Sequence, residues 1–240
     1  MDAPVAAVIL ASRGGPRLTR ALESVAWAAE RLVLDPAGRL DGRLLSPGVA
    51  RAIEPAEAAR APWLLLLDEH DVVPPPLAAL IAETARAPAA LPAYRIGHEV
   101  QLLGATFRPR YAPVHLVRRA GARLEVGAGL SAELRPRHGP IGRLAGQLLT
   151  SGVDSLVGAV EALDAEATAI AALLRSRGVR PRLWRLAVAP FVPGARALFA
   201  RGTSGDRWAR WTLTVLGGYR AMVAEAKLWE LWRAEAARAR

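Results

Sequence analysis

Residues 63–71 read Trp-Leu-Leu-Leu-Leu-Asp-Glu-His-Asp, an apolar run that breaks off in four polar residues and is stopped by Pro74, Pro75 and Pro76. A short continuous apolar stretch with a charged end and a proline stop predicts a strand buried on both faces, with carboxylates at its carboxyl end. Such a strand needs cover on both sides, which constrains the chain to an α/β sheet flanked by helices. Ligands of open α/β sheets bind in the crevice beyond the strands' carboxyl ends, where clustered carboxylates suit a divalent cation carrying a phosphorylated substrate. A solvated turn that happens to be acidic would show the same residues, and this run alone does not separate the two.

The flanking segments agree with that architecture. Val5–Leu10 is a short apolar strand candidate, followed by a loop at Gly14-Gly15-Pro16. Leu18, Ala21, Leu22, Val25 and Ala29 then recur at helical spacing and lead into a second strand, Arg31–Leu34, which ends in Asp35 before the turn Pro36-Ala37-Gly38. Residues 55–61 suit another helix before the 63–67 strand. Strands alternating with helices predict parallel pairing. Between about 91 and 140 arginine, glycine and proline interrupt short alternating stretches such as Val114–Arg119 and Arg123–Val126, which predicts short strands and loops. From Gly152 onward the period is helical, with Val153, Leu156, Val157, Val160, Leu163, Ala167, Ile170 and Leu174 on one stripe. A last stripe holds Trp208, Trp211, Val215, Tyr219, Met222, Ala226, Trp229 and Trp232.

At 240 residues and 52% apolar content the chain can bury a sizeable core, and without cysteine it has neither disulfides nor thiolate metal sites. The amino terminus enters a strand-like segment without a basic leader, and no apolar run approaches the roughly 18 residues that cross a bilayer. The expectation is a cytoplasmic protein, soluble or peripheral on the inner face of the cytoplasmic membrane. The net charge is +10 with Lys227 the single lysine, and a pI near 11.3 favours a polyanionic neighbour. No nucleic-acid fold motif accompanies it, so nucleic acid is not expected and an anionic membrane surface is. The tryptophan stripe, with Arg207, Arg210, Arg220, Lys227 and Arg233 nearby, places that contact in residues 206–238. Packing on the rest of the protein is the other use for the stripe, above all from Tyr219 to Ala226. Glycine-rich dinucleotide and phosphate loops, a nucleophile elbow and paired metal-ligand histidines are absent from the sequence.

The phrase from Arg17 to Glu30, Arg-Leu-Thr-Arg-Ala-Leu-Glu-Ser-Val-Ala-Trp-Ala-Ala-Glu, followed by a strand and Asp35, resembles family 2 glycosyltransferases, in particular the branch acting on the lipopolysaccharide core. Leu67-Asp68-Glu69-His70-Asp71 stands where that family has its Asp-x-Asp-Glu-type motif. Leu103-Gly104, Val114–Arg119 and Arg201-Gly202 before a long aromatic helix are also similar to the family's later segments. The resemblance implies a GT-A-like nucleotide-sugar-binding domain over residues 1–145, with a mostly parallel sheet, and a helical extension over 146–240 packing on it. It implies inverting transfer of a sugar from a nucleotide sugar to a glycolipid or glycan acceptor of the cell envelope. Asp35 then contacts the base or ribose, Asp68 the ribose, Glu69 the nucleotide sugar, and His70 with Asp71 a magnesium or manganese ion bridging the diphosphate.

Departures from the family pattern open a second reading, a glycosyltransferase-like binding or scaffold protein. Arg13-Gly14-Gly15 replaces an Asn-Glu-Glu phrase, Asp35-Pro36-Ala37-Gly38 an Asp-Ser-Gly-Ser phrase, and His70 the metal-binding aspartate. The general base corresponds to Glu133, one position late in Leu130-Ser131-Ala132-Glu133, so it serves only from a loop or bulge. His115, beside Arg118 and Arg119, suits either phosphate binding or a solvated basic strand. His98 and His138 read as surface residues, and Asp206 as a helix cap.

Overall fold

The computed structural model describes residues 3–11, 14–35, 49–52, 55–102, 105–108, 112–126, 132–150, 156–188, 191 and 207–238. Arg13, the Pro36–Gly38 turn, Leu103-Gly104, Leu130, Ser131, Val153, Arg201-Gly202, Asp206 and the side chain of Trp208 lie outside them.

The first strand, β1 (Ala3–Leu10), pairs in parallel with β2 (Ala28–Leu34) on one side and with β4 (Trp63–Asp68) on the other. Beyond β2 lies β3 (Val49–Ala52), also parallel. Beyond β4 the sheet turns mixed. It continues through β8 (Val114–Arg118), β6 (Ala93–Leu102), β11 (Ile141–Thr150) and β5 (Asp71–Val72), and β7 (Ala105–Phe107) pairs with β6. A separate antiparallel ladder joins β9 (Ala122–Val126) to β10 (Ala132–Pro136). The helices are α1 (Pro16–Ser24), α2 (Pro55–Ala58), α3 (Pro75–Arg86), α4 (Leu156–Ser176), α5 (Leu183–Val188) and α6 (Arg207–Arg238). This is the α/β class expected from the sequence, a sheet flanked by helices. β11 runs across residue 145, so the sheet continues past the boundary expected there.

Side chains alternate across a strand, and the central strands fill two cores. Val5, Ala7, Ile9, Trp63, Leu65 and Leu67 pack with Leu18 and Leu22 of α1 and Leu77 and Ile81 of α3. Ala6, Val8, Leu10, Leu64 and Leu66 face the other way, against Leu124, Leu134 and Leu173 of α4. Trp63 is a hub: its indole N–H donates to the Ala85 carbonyl at the end of α3 (3.0 Å), and the Arg118 guanidinium lies over its ring.

The two long helices differ from their expected stripes. On α4 the buried side is mostly alanine (Ala159, Ala162, Ala165, Ala167, Ala169 and Ala171, with Ile170, Leu173 and Leu174), while Leu156 and Val157 are exposed. On α6 the residues against α4 are Ala221, Ala224 and Leu228, and Trp211, Val215, Met222, Ala226 and Trp229 face outward. Periodicity weighs large apolar residues, whereas two helices at close approach select small ones. Cross-links from Lys227 to Asp164 and Thr168, and from Arg220 to Glu166, then fix how these faces meet.

Candidate functional site

β1 has β2 on one side and β4 on the other, so the chain order reverses there, and in open α/β sheets the crevice at such a point is the ligand site. Leu10 is in register with Leu34 on β2 and Asp68 on β4. The backbone continues the alignment, with Ala11 N–H donating to the Leu34 carbonyl (3.0 Å) and Glu69 N–H to the Leu10 carbonyl (3.1 Å). Asp35 and Asp68 therefore stand at the same edge, on either side of the end of β1.

The loop after β1 is shaped by two glycines with positive φ, Gly14 (74°) and Gly15 (79°), and Pro16 then starts α1. Gly14 N–H donates to Glu69 Oε2 (3.1 Å). Glu69 is buried, and through this bond its carboxylate ties the β1 loop to the end of β4, which is a structural role.

Asp71 is also buried, and its oxygens accept from Asp68 N–H (3.0 Å) and the Thr150 hydroxyl (2.7 Å). His98 Nδ1 lies 3.6 Å from the same carboxylate and 2.9 Å from Thr150 Oγ1. His98 Nε2 in turn meets His115 Nε2 at 2.7 Å, and His115 Nδ1–H donates to the Leu66 carbonyl (2.6 Å). Neither histidine is a surface residue: His115 is buried and His98 largely so. Sequence reasoning missed this because both have arginine, glutamate or glycine close by in the chain, which disguises an inward-facing position. Burial, and next the neighbouring His98, push the His115 imidazole down to about 4.

His70 has other neighbours, Arg17 Nη1 at 3.4 Å from Nδ1 and a Glu69 oxygen at 3.9 Å from Nε2. The expected metal pair thus divides, with Asp71 engaged by Asp68 and Thr150 and His70 set among Glu69 and Arg17. Among the described residues no group of three or more His, Asp or Glu side chains is arranged to hold a metal ion. The donor set does not fit the metal the resemblance implies.

The tertiary structure brings two residues of the long helices into the electrostatic field of Asp68, which the sequence did not suggest. Burial raises the Asp68 carboxyl well above its ordinary range, Asp71, Glu166 and Glu69 raise it further, and Arg220 opposes them. For Arg220, burial works to lower the guanidinium, but Glu166 and then Asp68 hold it above its usual value. Glu166 and Arg220 form an ion pair between α4 and α6. The one visible hint was Glu166 itself, a charge on the alanine-rich side of α4.

Glu133 lies in β10, directly opposite Glu125 in a ladder without a bulge. It is buried and paired with Arg135 Nη2 at 3.2 Å. The loop or bulge that its role as a base required is not present there.

No family model matches the chain, and no curated protein matches it. Among solved structures, the crystal structure of residues 1–349 of S. aureus TarS superposes with a TM-score of 0.39 at 13% identity, covering 98% of this chain and 92% of that one.

Proposed function

We propose that the edge formed by the carboxyl ends of β1, β2 and β4 binds a nucleoside diphosphate sugar, and that the protein transfers the sugar, with inversion, to a glycan or glycolipid acceptor of the cell envelope. The observation that carries this is the placement of Asp35 and Asp68 on either side of the end of β1, at the point where the sheet order reverses. Asp35 and Asp68 accept hydrogen bonds from the base and ribose hydroxyls. The leaving diphosphate needs positive charge, and Arg17 beside His70 is a cation at this edge. No step is assigned to a metal.

A second reading is favoured by the state of Glu133: a base buried in a regular strand against Arg135 is poorly placed to take a proton from an acceptor. On that reading the protein binds the donor and serves as a scaffold in envelope glycan assembly.

Calorimetric titration of UDP-, GDP- and CMP-linked sugars into the full chain, with a chelator and then with manganese, tests the proposal. Saturable binding that survives the chelator and is lost in Asp68→Ala supports it, and failure of every donor to bind overturns it. Release of free nucleotide in the presence of acceptor separates transferase from scaffold.

A further inference from the structure

The net charge of the chain is unevenly distributed. Residues 177–240 hold thirteen Lys and Arg against four Asp and Glu, a net +9 of the total +10. The same part of the chain holds most of the exposed apolar bulk. Of the thirteen exposed large hydrophobic residues among the described ones, eight lie in residues 177–240.

On α6, Trp211 (55% exposed), Val215 (63%), Met222 and Trp229 (48%) fall within about 40° of one another around the helix axis, a single outward stripe. Nearby α5 packs on α6 and exposes Trp184 and Val188, with Phe191 exposed just beyond it. Two of the basic residues first associated with the stripe are used inside the molecule, Lys227 on Asp164 and Arg220 on Glu166. Arg233 stays on the outer side, with its guanidinium 5.1 Å from the Trp229 ring, and Arg180 and Arg182 are exposed.

We infer that the outer stripe of α6, together with the exposed end of α5, is a docking surface for an anionic lipid bilayer, with the helix lying in the plane of the headgroups. Tryptophan and methionine enter the boundary region while arginines beside them meet lipid phosphates. Charge selects this occupant. A second copy would bring another strongly positive segment against the first, and a nucleic-acid backbone offers nothing apolar to Val215 and Met222. No helix among the described residues is long and apolar enough to span a bilayer, so the contact is with its surface.

Flotation of the full chain with phosphatidylcholine vesicles, with and without phosphatidylglycerol, tests this. Two variants are compared by circular dichroism melting before use: Trp211→Gln/Val215→Gln/Met222→Gln/Trp229→Gln, and Arg180→Gln/Arg182→Gln/Arg233→Gln. The expected result is co-flotation with anionic vesicles only, weakened about tenfold or more by high salt and by either variant. Brominated lipids should quench tryptophan fluorescence in the wild type. Indifference to anionic vesicles overturns the inference, as does unchanged binding by the folded first variant. A concentration-dependent dimer abolished by that variant, or tighter binding to RNA than to vesicles, overturns it in favour of another partner.

Discussion

His98 and His115 meet Nε2 to Nε2 at 2.7 Å across β6 and β8, and one of the two nitrogens has to donate. The Leu66 carbonyl can only accept, so His115 donates from Nδ1 and, being neutral, accepts at Nε2. His98 is therefore the donor at that contact. At its other nitrogen, Nδ1, His98 meets the Thr150 hydroxyl (2.9 Å), which donates to Asp71. His98 thus links His115 to Thr150, and through Thr150 to the residue that holds the Asp68 amide.

His115 gives a pH dependence with a definite sign. Its folded pKa, about 4, lies below the ordinary 6.5, so the unfolded chain binds the extra proton first as the pH falls. Stability from this group is complete above about 6.5 and is lost between there and about 4. Melting temperatures across that window should fall on acidification, and His115→Asn should flatten the slope. Nitrogen NMR at neutral pH should show His115 protonated at Nδ1 alone.

Asp71 should matter more for stability than its position in a turn suggests. Asp71→Ala removes the acceptor of the Asp68 amide and of the Thr150 hydroxyl and the carboxylate facing His98. The expected loss is about 2–4 kcal/mol in denaturant melts, from two charge-assisted hydrogen bonds and a buried amide left unpaired. Thr150→Val keeps the shape and removes one link, at a cost of about 1–2 kcal/mol. Equal effects of the two would contradict the network.

Asp68 should behave in the opposite way. Its carboxyl is raised by burial and by Asp71 and Glu166, so the folded state keeps its proton to higher pH than the unfolded state and loses stability as pH rises through the shifted value. At neutral pH Asp68→Asn should leave the melting temperature unchanged or higher, while Asp68→Ala, which removes the acceptor, should abolish donor binding. An alanine variant that binds normally would remove Asp68 from the site.

Gly142 lies opposite Tyr94 in the β11–β6 ladder, and a Cβ there would stand 2.8 Å from the tyrosine ring. The ring has little room to retreat, since its hydroxyl accepts from Leu91 N–H (2.8 Å) and its face packs near Trp63. Replacing a strand glycine by alanine ordinarily helps, but Gly142→Ala should cost about 1–3 kcal/mol. A melting temperature at or above wild type would show that the ring moves freely.

The parallel half of the sheet and its acidic edge were legible in the order of residues alone. β1, β2 and β4 are short apolar runs with charged ends, and burial on both faces leaves such runs few alternatives, so pattern placed Asp35 and Asp68 at strand ends. The rest was decided by tertiary structure. β6 and β11 are held by pairing with neighbours, since the ten residues of β11 bury only Leu144 and Leu148. Packing also decided which helix faces turn inward, because close approach favours the alanines of α4 and α6 over larger side chains. The polar network draws on Asp71, His98, His115 and Thr150, up to 79 residues apart, and the charges of Arg220 and Glu166, on helices of the other half of the chain, act on Asp68. Burial sets what those charges do, and burial belongs to the assembled fold.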